Sequence, residues 1–223
     1  MFKVAIDGPS GAGKSTISKV IAGKLGFTYI DTGAMYRAAA LSCVREGIDI
    51  KNEPEKAAEH VKSIEIDLEN GENGTVVFLN GENVTGLIRT PEISLGASAV
   101  SAIPEVRVIL VEKQREMGER VNVIMDGRDI GTCVLKDADV KIFLTASSEA
   151  RAKRRYVELC EKGEKVTFEE VLADMEMRDR NDSTRKASPL KPAEDSILID
   201  TTELNFEESV NLIYNTICER LEK

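Results

Sequence analysis

The spacing of apolar positions changes period several times along the chain, and each change marks an element. Lys3 to Ile6 is a short apolar run ending on Asp7 and Gly8, the form of a buried strand feeding a turn. From Lys14 the spacing becomes helical, with Ile17, Val20, Ile21 and Leu25 on one face and Gly26 closing it. Phe27 to Ile30 predicts a second strand, and after Asp31-Thr32-Gly33 a helix runs through Met35, Ala38, Ala39 and Val44 to stop near Gly47. Strand, loop, helix, strand is the opening of a βαβ unit. Between Ile64 and Thr85 the period shortens to two. Asn-Gly pairs at 70–71, 73–74 and 80–81 there predict a small antiparallel insertion.

Beyond it, Thr90-Pro91 reads as an N-cap with proline at the first helical position, and Pro104 opens a helix with Val108, Val111 and Arg115 along it. Val121 to Met125, Val140 to Leu144 and Ser196 to Ile199 predict three more core strands. Ser147 or Ser148 with Glu149 starts one helix, and Thr167 with Glu170 forms the capping box of another. The last helix, about Phe206 to Leu221, carries Val210, Ile213, Ile217 and Leu221 on one face. Five strands alternating with helices predict an α/β fold, a doubly wound five-stranded parallel sheet with one antiparallel insertion.

Composition narrows the class. The 223 residues suffice for one ample core, with 30 basic against 39 acidic side chains and a formal charge of -9. That balance argues against nucleic acid as the main partner, because binding a phosphate backbone needs clustered Lys and Arg. No apolar run approaches the roughly 20 residues of a membrane span, and the Met1 to Asp7 segment is too short for a secretory signal. Cys43, Cys133, Cys160 and Cys218 lie far apart and are expected to be buried free thiols of a cytoplasmic protein. The one histidine, His60, is expected to be a solvated helix residue, which leaves no His-based metal site. With no heptad or bare apolar helix in the pattern, a monomer is expected.

The chemistry begins at Gly8-Pro9-Ser10-Gly11-Ala12-Gly13-Lys14-Ser15, followed by Thr16, which fits G-x-x-x-x-G-K-[ST] between a predicted strand and a predicted helix. Such a loop turns its amide N–H groups inward around phosphates at the positive end of a helix dipole. Lys14 is expected to bridge the β- and γ-phosphates of ATP, and the Ser15 hydroxyl to ligate Mg²⁺. The N-K-x-D sequence of guanine-reading switches is absent. Arginines stand instead at strand ends and in loops, and residues 151–191 hold 11 basic against 9 acidic side chains inside an acidic protein. Arg151, Arg154 and Arg155 share one helix face. The planar guanidinium fork suits a site that must bring two phosphorylated molecules together. Asp126 closes an apolar strand at the sheet edge where ligands of open α/β sheets bind. There it is expected either to orient Mg²⁺-bound water or to cap the adjacent turn.

Taken together, GPSGAGKST at 8–16, IDTGAMYR at 30–37, MDGRDIGT at 125–132, KIFLTAS at 141–147 and RDRNDSTRKASPL at 178–190 resemble, in order and over the whole chain, the bacterial cytidylate kinases. These are P-loop nucleoside monophosphate kinases. The resemblance implies transfer of the γ-phosphoryl group of ATP to CMP or dCMP with Mg²⁺. It implies a core of 1–60, 105–147 and 190–223, a monophosphate-binding insertion at about 61–104 and a short helical lid at about 148–189. It also implies that Arg37, Arg128 and Arg185 hold the CMP phosphate, that Arg178 and Asp182 bind the sugar, and that Ser98, Arg107 and Asp129 read cytosine, with Thr32 and Tyr36 in the same site. Arg151 and Arg155 are expected in the lid over ATP. A monophosphate is already an anion near neutral pH, so in-line transfer needs no general base. Lys14, Arg128, Arg151, Arg155 and Arg185 are expected to stabilise the transferred charge. The remaining alternative is a P-loop kinase for another small acceptor, such as UMP, AMP or a metabolite hydroxyl.

Overall fold

A computed structural model of the chain describes residues 1–71 and 74–222. In chain order the elements are β1 (Lys3–Asp7), α1 (Lys14–Leu25), β2 (Thr28–Asp31), α2 (Thr32–Arg45), α3 (Pro54–Ser63), β3 (Ile66–Gly71), β4 (Gly74–Leu79), β5 (Glu82–Asn83), α4 (Pro91–Val100), α5 (Pro104–Gly118), β6 (Val123–Gly127), β7 (Val140–Thr145), α6 (Ser148–Glu161), α7 (Phe168–Thr184), β8 (Ile197–Asp200) and α8 (Phe206–Leu221). A π-helical turn, Ile130–Val134, follows β6.

The main sheet runs β2-β6-β1-β7-β8, all parallel. Its centre is apolar on both faces, which is why β1 reads as a continuous run. Val4 and Ile6 pack with Ile17 and Ile21 of α1 and Ile213 and Ile217 of α8. Ala5 points the other way, into a cluster with Ile30, Val111, Met125 and Ile130. Helices therefore cover both faces, as the alternating pattern predicts. A further core joins α2, α3, α4 and α5 to the small antiparallel sheet β3-β4-β5. Its hairpin turn at 72–73, which includes the Asn of the Asn-Gly pair at 73–74, lies outside the described residues.

The register sets the working edge. Asp7 pairs with Gly127 on one side and Phe143 on the other, and Asp31 pairs with Asp126, so the carboxyl ends of β1, β2 and β6 come level. Caps fall where expected: Thr90 accepts from the Ile93 amide, Ser147 from Ala150, and Thr167 with Glu170 forms a full capping box.

Several sequence expectations are corrected. Val108 is 59% exposed, because α5 buries Val106, Leu110, Val111 and Gln114 instead. Leu221 is exposed at the end of α8. All four thiols are free, but Cys43 alone is buried and Cys160 is exposed. His60 is half-buried on α3, with its Nε2 hydrogen-bonded to Ser42 Oγ at 2.7 Å. Among the described residues no single helix is long and apolar enough to cross a membrane.

Candidate active site

β1 hands the chain to a loop whose shape only glycine permits. Gly11 and Gly13 have φ of +74° and +86°, and a Cβ on Gly8 would lie 1.9 Å from the Leu144 carbonyl oxygen. The loop closes on Lys14, whose Nζ donates to the Pro9 carbonyl at 2.7 Å. Burial, with Arg128 adding to it, pulls the Lys14 ammonium down to about 7. Ala12 is buried, Ser10 is half-buried, and Ser15 and Thr16 are exposed on the first turn of α1.

At the end of β6, the buried Asp126 is held from two sides. Ser15 Oγ donates to its Oδ2 at 2.8 Å and Tyr29 OH to its Oδ1 at 2.7 Å, while Thr32 Oγ1 donates to its backbone oxygen at 2.6 Å. Desolvation, reinforced by Asp31, raises the Asp126 carboxyl above the ordinary range, and the Tyr29 phenol is pushed up as well by burial beside it. Asp31 caps α2 by accepting from the Ala34 amide, and Arg37 lies 3.9 Å from its Oδ1.

The turn after β6 carries the other charged groups. Arg128 donates to Asp182 of α7 at 2.8 Å. Burial works against a charged Asp182, yet Arg128, Arg185 and Arg178 hold its carboxyl below the usual range. Asp129 is paired with Arg107 of α5 and lies 3.5 Å from Arg185. Arg107 also sits over the Tyr36 ring, 5.6 Å from its centroid. The Tyr36 hydroxyl is buried with no hydrogen-bond partner among the described residues, and desolvation pushes it up to about 12. Ser98 is half-buried on α4, where its carbonyl accepts from Ser101 Oγ at 2.9 Å.

The α6–α7 hairpin folds against the P-loop. Arg151 Nη1 donates to the Ser10 carbonyl at 2.8 Å and pairs with Asp179 at 2.7 Å, and Asp179 also accepts from the Ser10 amide at 3.3 Å. Arg155 is held by Glu158 at 2.8 Å on the helix surface, and Arg154 turns to the Thr201 carbonyl. Arg178 makes no hydrogen bond or ion pair among the described residues; burial, then Arg128, pulls its guanidinium below its ordinary range.

Sequence reasoning missed three residues at this edge. Asp7 accepts from the Ile130 and Gly131 amides, Tyr29 holds Asp126, and Asp179 meets the P-loop. A carboxylate ending an apolar strand at the ligand edge was the available signal for Asp7. The partners of the other two lie far along the chain, and no local pattern marks them.

A glycine loop between β1 and α1, closed by a buried lysine and faced by a carboxylate on a neighbouring strand, defines a P-loop kinase fold. Solved structures agree on that fold: shikimate kinase from Acinetobacter baumannii in complex with shikimate superposes with a TM-score of 0.50 at 16% identity, covering 100% of this chain and 96% of that one. An uncharacterized protein from Eubacterium ventriosum gives 0.51 at 11% identity, covering 99% and 98%. The family described as cytidylate kinase matches residues 4–219. Curated cytidylate kinases are similar throughout: 56% identity with that of Caldanaerobacter subterraneus subsp. tengcongensis, covering 96% of this chain and 94% of the relative. The Desulfitobacterium hafniense enzyme is 51% identical, covering 99% and 94%, and the Bacillus cereus enzyme 48%, covering 97% and 96%. The chain belongs to the cytidylate kinase family.

Proposed function

We propose that the chain transfers the γ-phosphoryl group of ATP to CMP or dCMP, giving ADP and CDP or dCDP. The observation that carries the reading is Asp129, on the turn after the strand next to the P-loop strand, where Arg107 of α5 and Arg185 after α7 converge on it beside the orphaned Tyr36 hydroxyl. It supplies a carboxylate and donors for a base, and a buried hydroxyl awaiting a partner, next to a phosphate loop. Cytosine presents an N4 amino donor with O2 and N3 acceptors, which Asp129, Arg107 and Ser98 complement. Uracil would set O4 against the carboxylate, at a cost of about 1–3 kcal/mol per unpaired buried group.

In this reading the loop Gly8–Thr16 cradles the ATP phosphates and Lys14 leaves Pro9 for them. Arg37, Arg128 and Arg185 take the acceptor phosphate with Thr32 nearby, and Arg178 and Asp182 the sugar. Arg151 and Arg155, on a lid of about 148–189, close over ATP and exclude water. The segment 61–104 is the acceptor-binding insertion, and the remaining residues form the core. Ser15 and Asp126 place two oxygens together where a hard cation fits, and no group of three or more acidic, His or Cys ligands exists among the described residues. Mg²⁺ would be held by Ser15, with Asp126 acting through water and the rest of its shell from phosphates and solvent; it would shield phosphate charge. The unpaired thiols suit a reducing cytoplasm. A panel of CMP, dCMP, UMP, AMP and small hydroxyl acceptors scored by ADP release tests the reading. CMP and dCMP should lead; ADP formation indifferent to acceptor refutes it.

A further inference from the structure

We propose that Asp7 is a positioning residue that holds the acceptor-binding turn in its working shape from the P-loop strand; this rests on the reading of that turn given above. Asp7 is the last residue of β1, immediately before Gly8. Its backbone is in register with Gly127, where the chain leaves β6. Its side chain then takes the same chain again three residues later: Oδ1 accepts from the Ile130 amide at 2.7 Å and Oδ2 from Gly131 at 2.8 Å. One residue therefore pins both ends of a short arc, and the two residues between the pins are Arg128 and Asp129. Those are the side chains assigned to the acceptor phosphate and the base.

The clamp is tight on every side. A Cβ on Gly127 would stand 2.7 Å from the Ile130 side chain and 2.8 Å from Thr32 Oγ1, and one on Gly131 would stand 3.2 Å from Lys141 and 3.5 Å from Asp7. A buried carboxylate is an expensive way merely to cap a turn, since a neutral side chain could accept from one amide. Desolvation and the nearby Asp129 work against the charged form, the two amide bonds and Lys14 work for it, and the carboxyl ends at about 6. What the carboxylate alone provides is two acceptors at fixed separation for two consecutive N–H groups, so the arc has no free rotation left. Preorganisation of this kind appears in the acceptor's binding rather than in the donor's.

The test is Asp7→Asn, which keeps the volume but turns an NH₂ toward one of the two amides. The KM of the acceptor should rise at least about tenfold and the preference for the best acceptor over the next should fall at least about fivefold, with the KM of ATP within about twofold. Any other pattern overturns the assignment, including a rise for ATP as large as that for the acceptor. If the variant does not fold, amide exchange on the unaltered protein decides. The Ile130 and Gly131 amides should exchange slowly in the free chain and gain no more protection than the amides of the central strands when acceptor binds. Rapid exchange, or protection that arises only with acceptor, overturns it. The slow exchange of the free chain is read without substrate, and the kinetic arm is scored on whichever acceptor the protein prefers. A wrong acceptor assignment and a wrong Asp7 assignment therefore give different results.

Discussion

Lys14 lies in an environment that disfavours its own charge, and the binding of triphosphate should reverse that. Free, its Nζ is buried and hydrogen-bonded to the Pro9 carbonyl, and burial with Arg128 brings the ammonium from 10.5 to about 7. A triphosphate against it supplies the opposite charge, which returns the group toward its ordinary value. The sign follows: above pH 7 the free chain has lost a proton that the bound chain keeps, so binding takes one up and apparent affinity falls as pH rises. With a free value of about 7, uptake is roughly 0.1 proton at pH 6, 0.5 at pH 7 and 0.9 at pH 8, and affinity falls roughly fivefold from pH 7 to 8. Titration calorimetry with a non-hydrolysable ATP analogue, repeated in buffers of different ionisation enthalpy, measures the uptake directly. Lys14→Arg, which keeps its proton throughout, should abolish it. Uptake near zero at pH 8, or equal uptake in Lys14→Arg, refutes the reasoning.

Other substitutions read other parts of the site. Gly8→Ala should cost more than about 3 kcal/mol in chemical denaturation, because its Cβ meets the Leu144 oxygen at 1.9 Å. Gly23→Ala, with nothing within 4 Å on α1, should gain up to about 1 kcal/mol. Equal midpoints for the two would contradict the steric account. Tyr29→Phe removes a donor from the buried Asp126 and should destabilise the protein by about 2 kcal/mol at neutral pH, whereas a change below about 0.5 would mean that the bond contributes little. Asp129→Asn should narrow the preference for CMP over UMP by about 5- to 150-fold, read from kcat/KM, and unchanged selectivity moves base reading elsewhere.

The fold was legible because β1, β2 and β6 are nearly continuous buried runs and the helices bury one face, so run length and helical period are both printed in the chain. What stayed hidden had weak or non-local signals. α3 buries only Ala57, Ala58 and Val61, small residues in an otherwise charged stretch that form no apolar run. The turn Ile130–Val134 closes through a Leu135 amide to Ile130 carbonyl bond at 2.7 Å, a spacing that neither period detects. β6 starts two residues later than its apolar run, where the Asn122 side chain accepts from the Phe2 amide. In the site, the glycine loop is local and readable. The arginines are readable as cations, but their carboxylates are not. Arg128 meets Asp182 across 54 residues and Ser10 meets Asp179 across 169, distances at which only the folded chain decides who pairs with whom.

Those pairings also set what the cleft refuses. Asp129, Asp179 and Asp182 already occupy Arg107, Arg185, Arg151 and Arg128, so an anion arriving at those four arginines competes with a carboxylate tethered to the same chain. A tethered competitor acts at a high effective concentration, which a lone sulfate or inorganic phosphate cannot match with one set of oxygens. A nucleotide can, because its sugar and base offer hydrogen-bond donors to the carboxylates from which its phosphate takes the arginines. Selection against small anions would thus begin before the base is read, at the acids as much as at the arginines.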